Sequence, residues 1–199
     1  MAQSLSPSLP PGAPSSSSAG PRAAAVRRTR GGALVSAALA MGLISGFFYA
    51  YACSVMIGLA RLDDRTFIDT MQWINATVRN RWFAPSFFGA LALTAAAVLV
   101  HLPRDGRRVL PWAVAALAFY GAAFGITLGV HVPLNDDLAA AGDPAVLGDP
   151  SAVRAAFEDR WVAWNAARTV ASTAALACLL RALVLHGREA GLQGRPPRR

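Results

Sequence analysis

Residues 33–59 read ALVSAALAMGLISGFFYAYACSVMIGL and contain no charged side chain. A helix needs about 20 apolar residues to cross the hydrocarbon core of a bilayer, so this run is long enough to span it. Three further runs meet the same test, at 84–102, 109–130 and 162–185. Because lipid cannot hydrogen-bond the backbone, spanning segments of this kind must be helical. The sequence therefore predicts an all-α membrane protein, built as a four-transmembrane-helix bundle.

The composition favours a membrane protein over a nucleic-acid-binding one. The 199 residues are 54% hydrophobic and 15% charged, whereas soluble domains carry about 25% charged residues. The net charge is +8, and all 19 basic residues are Arg. Most of them flank the apolar runs, as basic residues beside membrane spans do. We therefore expect the lipid bilayer as a partner and no nucleic acid.

Composition also divides the chain into three parts. Residues 1–30 form a Ser-, Pro-, Ala- and Arg-rich arm that is too poor in apolar side chains to fold, so it is predicted to be disordered. The transmembrane domain is expected at 31–187. A basic tail is expected at 188–199.

The distribution of charge predicts the orientation. The arm, the 103–108 connection and the residues after His186 hold eleven Arg and two acids, whereas the 61–81 and 131–160 connections hold six Arg and nine acids. Arg-rich connections stay in the cytoplasm, which predicts a cell-membrane protein with both termini cytoplasmic. Aromatic side chains at the two interfaces agree with this: Trp112 is expected at the inner one, and the outer one is expected to hold Trp82, Trp161 and Trp164.

The two outer connections differ in pattern. In the first, Phe67, Met71, Ile74 and Val78 recur at helical spacing, which predicts a short amphipathic helix on the membrane surface or over the bundle. Asp63 or Asp64 is expected to cap its start. The second connection is punctuated by Gly and Pro, which predicts an irregular loop; these residues are Gly142, Pro144, Gly148 and Pro150.

Glycines at four-residue spacing mark two helix faces on which backbones can approach closely in lipid. Packing within the bundle and contact between copies of a homo-oligomer are both compatible with these Gly-rich faces, which hold Gly42, Gly46, Gly121, Gly125 and Gly129. Tyr49 shares the first face and is expected to point into the bundle. Cys53 and Cys178 form no Cys-x-x-Cys pair, and a disulfide between them is not expected.

The fourth span carries the most informative polar residues. Trp161, Trp164, Asn165 and Arg168 share one helix face. A charge at the depth of Arg168 costs at least ~2.5 kcal/mol unless it is paired or reaches water. One interpretation is a structural ion pair with an acid of the outer connections. The other is a group that binds an anion or a carbonyl in a polar cavity.

His131 and Asn135 fall at the same depth as Asn165 and Arg168, so one outer pocket could hold all four. His131 titrates near neutral pH and is the best candidate for a general base. His101 and His186 are expected at the inner interface, roughly 30 Å away. The three His therefore cannot share an ion, and we expect neither a metal nor another cofactor.

Several segments resemble the anthrone oxygenase-like family of small membrane proteins. They are Phe47-Phe-Tyr-Ala-Tyr51, Cys53-Ser-Val-Met56, Leu59-Ala-Arg-Leu-Asp63-Asp-Arg-Thr-Phe67, Met71-Gln-Trp-Ile-Asn75, Pro133-Leu-Asn135 and Trp161-Val-Ala-Trp-Asn165-Ala-Ala-Arg168. The family tends to have Asn-Pro before the second span, where this chain has Asn80-Arg81.

The resemblance implies oxidation of an apolar phenolic or polycyclic substrate by molecular oxygen without a cofactor. It implies His131 as the base, with Arg168 and the two Asn side chains steadying an oxyanion. Substrate contacts are then expected from Asn135, Asn165, Trp161, Trp164, Tyr49 and Asn75. The alternative is a non-enzymatic membrane protein with a structural or assembly role.

Overall fold

The computed structural model of the chain describes residues 20–103 and 107–193, which are helical almost throughout and contain no strand. The α-helices are α1 (Pro21–Ala50), α2 (Met56–Leu59), α3 (Asp64–Val78), α4 (Phe83–His101), α5 (Leu110–Ile126), α6 (Val132–Ala140) and α7 (Pro150–Gln193). A first π segment, Tyr51–Val55, joins α1 to α2, and a second, Thr127–His131, joins α5 to α6. A short 3-10 turn follows at Pro144–Val146.

Four helical stretches are long and apolar enough to cross a membrane, as predicted. Span 1 is Pro21–Leu59, span 2 is Phe83–His101, span 3 is Leu110–Ala140 and span 4 is Pro150–Glu189. Each span packs against its two neighbours in chain order, and span 4 returns to span 1, so the four close into a bundle. The chain is thus a multi-pass membrane protein with an all-α bundle fold.

The bundle core is built mainly from small side chains where the spans approach one another. Small residues let helix backbones come close, which replaces the hydrophobic effect as the source of association in lipid. The fully buried alanines are Ala37, Ala90, Ala97, Ala113, Ala116, Ala123, Ala175 and Ala182. One polar bond joins spans 2 and 3: the Tyr120 hydroxyl donates to the Phe87 carbonyl oxygen at 2.7 Å.

The glycine faces do not pack inside this bundle. A Cβ atom added at any of the five glycines would meet nothing within 4 Å; they are Gly42, Gly46, Gly121, Gly125 and Gly129. Tyr49 lies on the same outward surface and is 60% exposed, so the prediction that it points inward was wrong. Span 1 instead buries the face that holds Met41, Ile44 and Phe48. Contact between copies through the glycine faces stays a prediction.

The first helix begins earlier than predicted. Pro21 starts α1, so the stretch from there to Arg30 is helical rather than part of a disordered arm. A Pro in the first turn costs nothing because its missing N–H would have no partner there, and the following alanines and arginines are good helix formers. Residues 1–19 lie outside the described residues. In the predicted tail, α7 continues to Gln193, and 194–199 lie outside the described residues.

The second outer connection is more regular than an irregular loop. Helix α6 carries span 3 on to Ala140, and Pro133 is its second residue, just after the second π segment. Gly142 has a φ of 84° and ends this helical stretch, as glycine does at many helix C-termini. The irregular part therefore shrinks to the residues between α6 and α7.

The predicted amphipathic helix is α3, and it caps one end of the bundle. Its buried side includes Phe67 and Met71, which pack with residues of α6 and α7. The Asp63 side chain caps its start by accepting hydrogen bonds from the Thr66 hydroxyl and backbone N–H, at 2.6 and 3.1 Å. These bonds lower the pKa of the Asp63 carboxyl, so the cap persists as the pH falls through the usual range for Asp. We call this end of the bundle the α3 end.

Arg154 of α7 fastens α3 to the bundle. Its side chain is 14% exposed and donates to Asp64 at 3.0 Å and to Glu158 at 2.6 Å. It also donates to the Leu62 carbonyl oxygen at 2.8 Å. Its guanidinium carbon lies 4.4 Å from the centre of the Phe67 ring. One side chain therefore bonds the start of α3, the residue before its cap and its own helix.

Removing this fastening is expected to destabilise the fold. Arg154→Ala should lower the free energy of unfolding by roughly 2 kcal/mol, because two partly buried carboxylates lose charged hydrogen bonds. The exposed Arg160 on the same helix is the matched control, and Arg160→Ala should change the value by less than about 0.5 kcal/mol. Reversible unfolding in mixed micelles measures both. Equal effects of the two substitutions would contradict the assigned role of Arg154.

Candidate functional site

The two π segments lie at the α3 end and both pack against α7. A π turn holds one residue more than an α turn, and such turns are frequent at functional sites. The first places Tyr51 beside the bundle axis, and the second places Thr127 and His131 there. The helix geometry therefore departs from regular α in spans 1 and 3 beside the same part of α7.

A cavity of about 80 Å³ lies between the π segments, α3, the start of α4, α6 and α7. A single water needs about 10–15 Å³ of such space, so there is room for several waters. Most of its wall is apolar or aromatic. The lining residues are Phe47, Tyr51, Ile74, Asn75, Val78, Arg79, Phe83, Thr127, His131, Val132, Asn135, Asp136, Trp161 and Arg168.

His131 lines this cavity with its imidazole side chain. The residue is 1% exposed, and neither ring nitrogen has a hydrogen-bond partner among the described residues. Its ring stands edge-to-face with Trp161, with centroids 5.0 Å apart and planes at 82°. A buried polar atom normally finds a partner, so an unsatisfied imidazole in a residue of a cavity wall is typical of a ligand-binding group.

Arg168 is buried without an acidic partner. It is 5% exposed, its Nε donates to the Asn165 side-chain oxygen at 3.0 Å, and its Nη1 is 3.5 Å from the Thr127 hydroxyl. Within the described residues no carboxylate lies within ion-pair distance of it. The structure thus lacks the ion pair that one interpretation of the sequence expected.

Aromatic faces take the place of a counter-ion at Arg168. Its guanidinium carbon lies 4.2 Å from the ring centre of Phe48 and 5.2 Å from that of Trp161. Each cation–π contact of this kind stabilises a desolvated cation by about 1–2 kcal/mol. Three acids at the α3 end form ion pairs with other arginines: Asp64 and Glu158 pair with Arg154, and Asp136 pairs with Arg79.

Asn165 positions Arg168 rather than lining the cavity. Its side-chain oxygen accepts from the guanidinium, and its Nδ2 donates to the Phe48 carbonyl oxygen at 3.2 Å. The residue is 1% exposed. Because both ends of the amide are engaged, Asn165 fixes the guanidinium relative to span 1.

Three further predicted residues lie in the cavity wall. The Trp161 indole nitrogen donates to the Asn135 side-chain oxygen at 3.1 Å, which ties α7 to α6. The Asn75 side-chain nitrogen is buried and has no partner in the described structure. Trp161 is 3% exposed, so its indole is buried in the cavity wall rather than exposed on the surface of the bundle.

Besides Asn165, two predicted substrate contacts do not reach the cavity. Trp164 is 40% exposed and Tyr49 is 60% exposed, and neither lines the wall. Tyr51 stands where Tyr49 was expected. The sequence signal for Tyr51 was its place in the same aromatic segment, but its direction depends on the first π segment.

The described residues offer no set of ligands for a metal ion. Among the described residues, no group of three or more His, Cys, Asp or Glu side chains is arranged to hold an ion. His101 and His186 pair with each other at the opposite end of the bundle, with ring centroids 5.9 Å apart. Cys53 and Cys178 are both free thiols, the first exposed and the second buried.

A stability measurement distinguishes a structural Arg168 from one held for binding. Arg168→Met should leave the free energy of unfolding within about 1 kcal/mol of wild type, or raise it, because an apolar side chain avoids the cost of a buried charge. Met41→Ala in the bundle core is the control, with an expected loss of about 2–5 kcal/mol. A loss from Arg168→Met as large as the control's would show that Arg168 holds the bundle together.

Comparison with known proteins adds one finding. No curated protein and no solved structure gives a significant match to the chain. The sequence model of the family described as "Anthrone oxygenase" matches residues 73–178. This segment is more than half of the chain and includes His131, Asn165 and Arg168, and the chain therefore belongs to the anthrone oxygenase family.

Proposed function

We propose that the protein is a cofactor-independent oxygenase that oxidises an apolar phenolic or polycyclic substrate in the cavity at the α3 end. The observation that carries this is His131, a buried residue of the cavity wall whose ring nitrogens have no hydrogen-bond partner among the described residues. Arg168 lines the same cavity without a carboxylate partner among the described residues. Membership of the family supports the reaction class.

The first step is proton removal. In an anthrone, the CH₂ group opposite the ketone is acidic because the resulting anion is delocalised on to the ketone oxygen. A free imidazole nitrogen of His131 accepts this proton and forms an imidazolium ion. The apolar wall excludes most water, so the base meets the substrate rather than solvent.

The second step is stabilisation of the anion. Once the proton has left, negative charge accumulates on the former ketone oxygen. Arg168 is held in place by Asn165, and its Nη2 has no hydrogen-bond partner among the described residues, so it is available as a donor to that oxygen. The unpartnered amide nitrogen of Asn75 is a second donor in the same wall. Preorganised donors of this kind stabilise a developing oxyanion at no cost in reorganisation.

Molecular oxygen completes the reaction. The electron-rich carbon of the anion bonds to one oxygen atom of O₂, and the resulting peroxide takes the proton back from the His131 imidazolium. The hydroperoxide then loses one water molecule as the O–O bond breaks, which leaves a second ketone. One anthrone and one O₂ thus give one anthraquinone and one water.

The test is oxygen uptake by protein reconstituted in lipid nanodiscs with anthrone as substrate. The rate with empty nanodiscs is subtracted, because anthrones also oxidise slowly without a catalyst. We expect His131→Ala to lower the rate by about 10²–10⁴-fold, the usual contribution of a general base. Arg168→Gln should lower it by about 10²–10³-fold, as loss of an oxyanion donor does.

The matched control is His101→Ala, which removes an equally buried His at the opposite end of the bundle. It should leave the rate unchanged. Added imidazole should partly restore the His131→Ala variant, which a purely structural His would not allow. If wild-type protein shows no oxygen uptake above the empty-nanodisc rate with any anthrone, the oxygenase proposal is wrong and a structural or assembly role is favoured.

We also propose that both termini lie in the cytoplasm and that the α3 end faces outward in the cell membrane. The support is the excess of Arg over acids in the terminal segments and the 103–108 connection. Fusion of green fluorescent protein to the C-terminus should then fluoresce, while an alkaline phosphatase fusion there stays inactive. Fusions made after Gly148 should give the reverse result. Active phosphatase at the C-terminus would overturn the orientation.

A further inference from the structure

A second opening lies beside the cavity, on the side of the bundle that faces the bilayer. This groove has a volume of about 510 Å³ and runs between spans 1 and 2 below the end of α3. Its lining residues are Leu43, Phe47, Tyr51, Ile74, Thr77, Val78, Asn80, Trp82, Phe83 and Ser86. Within this set, neither an acid nor a base is present.

The groove and the cavity share one wall. Five residues line both spaces: Phe47, Tyr51, Ile74, Val78 and Phe83. The Phe47 ring lies 5.0 Å from Tyr51 and 5.3 Å from Phe83, measured between centroids. Only a layer of side chains therefore separates the lipid-facing groove from His131 and Arg168.

The two spaces open to different surroundings. The lower part of the groove lies between spans 1 and 2, where Leu43 is 69% exposed, and we expect this part to meet hydrocarbon; its upper part reaches Trp82, which is 79% exposed and precedes span 2. The other end of the cavity carries the exposed pair Arg79 and Asp136, 3.8 Å apart. An apolar solute that crossed the charged rim would displace water from Arg79 and Asp136, which costs free energy. A solute that crossed the groove would exchange one apolar contact for another.

We propose that the substrate reaches the cavity sideways from the bilayer through this groove, past the side chains of Phe47, Tyr51 and Phe83. This inference rests on the proposed oxygenase function and names the substrate class as a flat apolar molecule dissolved in lipid. Such a molecule partitions into the hydrocarbon because burial of apolar area is favourable by about 25 cal/mol per Å². Its concentration beside the groove then greatly exceeds that in water.

The kinetic test is to fill the groove without touching the cavity. Ser86 lines the groove but not the cavity. Ser86→Phe should therefore lower kcat/KM for anthrone by about tenfold or more, because a blocked entrance slows association. Association rates of related variants differ over this range. Ala92→Phe adds the same side chain to an exposed position on the same helix and should have no effect. Asp136→Phe places the same bulk at the water-facing rim of the cavity, and a larger loss of kcat/KM from it than from Ser86→Phe would contradict the lateral route.

A binding measurement separates this inference from the oxygenase proposal. Anthracene lacks the acidic CH₂ group, so it tests access without chemistry. In a variant that keeps Trp161 as its one tryptophan, energy transfer from Trp161 to anthracene in nanodiscs should rise rapidly on mixing. Adding Ser86→Phe should slow that rise by about tenfold, whether or not the protein oxidises anthrone.

The outcomes are distinct. If Ser86→Phe slows the rise of energy transfer to anthracene but the wild-type protein oxidises no anthrone, the oxygenase proposal is wrong and the lateral route is supported. Unchanged transfer and unchanged kcat/KM after Ser86→Phe would overturn the lateral route. A slowing confined to Asp136→Phe would show that the substrate arrives from water through the charged rim.

Discussion

A guanidinium buried in a membrane bundle without a carboxylate is the constraint around which the α3 end is organised. Placing Arg168 at this depth costs at least ~2.5 kcal/mol, and the surrounding residues offset that cost in ways that leave the charge available. Asn165 accepts one N–H, the Thr127 hydroxyl lies near another, and two aromatic faces cover the cation. A carboxylate in their place would neutralise the group that the cavity presents.

The two ends of the bundle are packed differently. Away from α3, alanines and larger apolar side chains such as Leu34 and Leu179 fill the space between the spans. At the α3 end, aromatic side chains and the two π segments surround the cavity, and α3 and α6 cover it. Arg154 secures that cover through bonds to several groups at once.

The four spans and α3 could be predicted because each depends on local pattern alone: apolar length for the spans, helical spacing for α3. Arg168, Asn165 and His131 could be predicted as a group because polar residues at similar depth in apolar helices must face one another. The direction of Tyr49 and the place of Tyr51 in the cavity wall could not. Those depend on which face of span 1 packs and on π turns, which arise from tertiary contacts and leave no spacing signal. The glycine faces lie on the outside of the bundle, and alanines form the close contacts between its helices.

The π turns carry a consequence for how a site of this kind can change. Each one is equivalent to a single additional residue within a span, and one residue corresponds to a rotation of about 100° in an α-helix. Losing one residue within Tyr51–Val55 would return this segment to regular α-helix and leave both flanking helices facing as they do now. Conversion of the same segment to α-helix with every residue kept would instead rotate one flanking helix relative to the other. Each π turn thus absorbs its additional residue locally, so the side chains at the turn can differ while the rest of the span keeps its register.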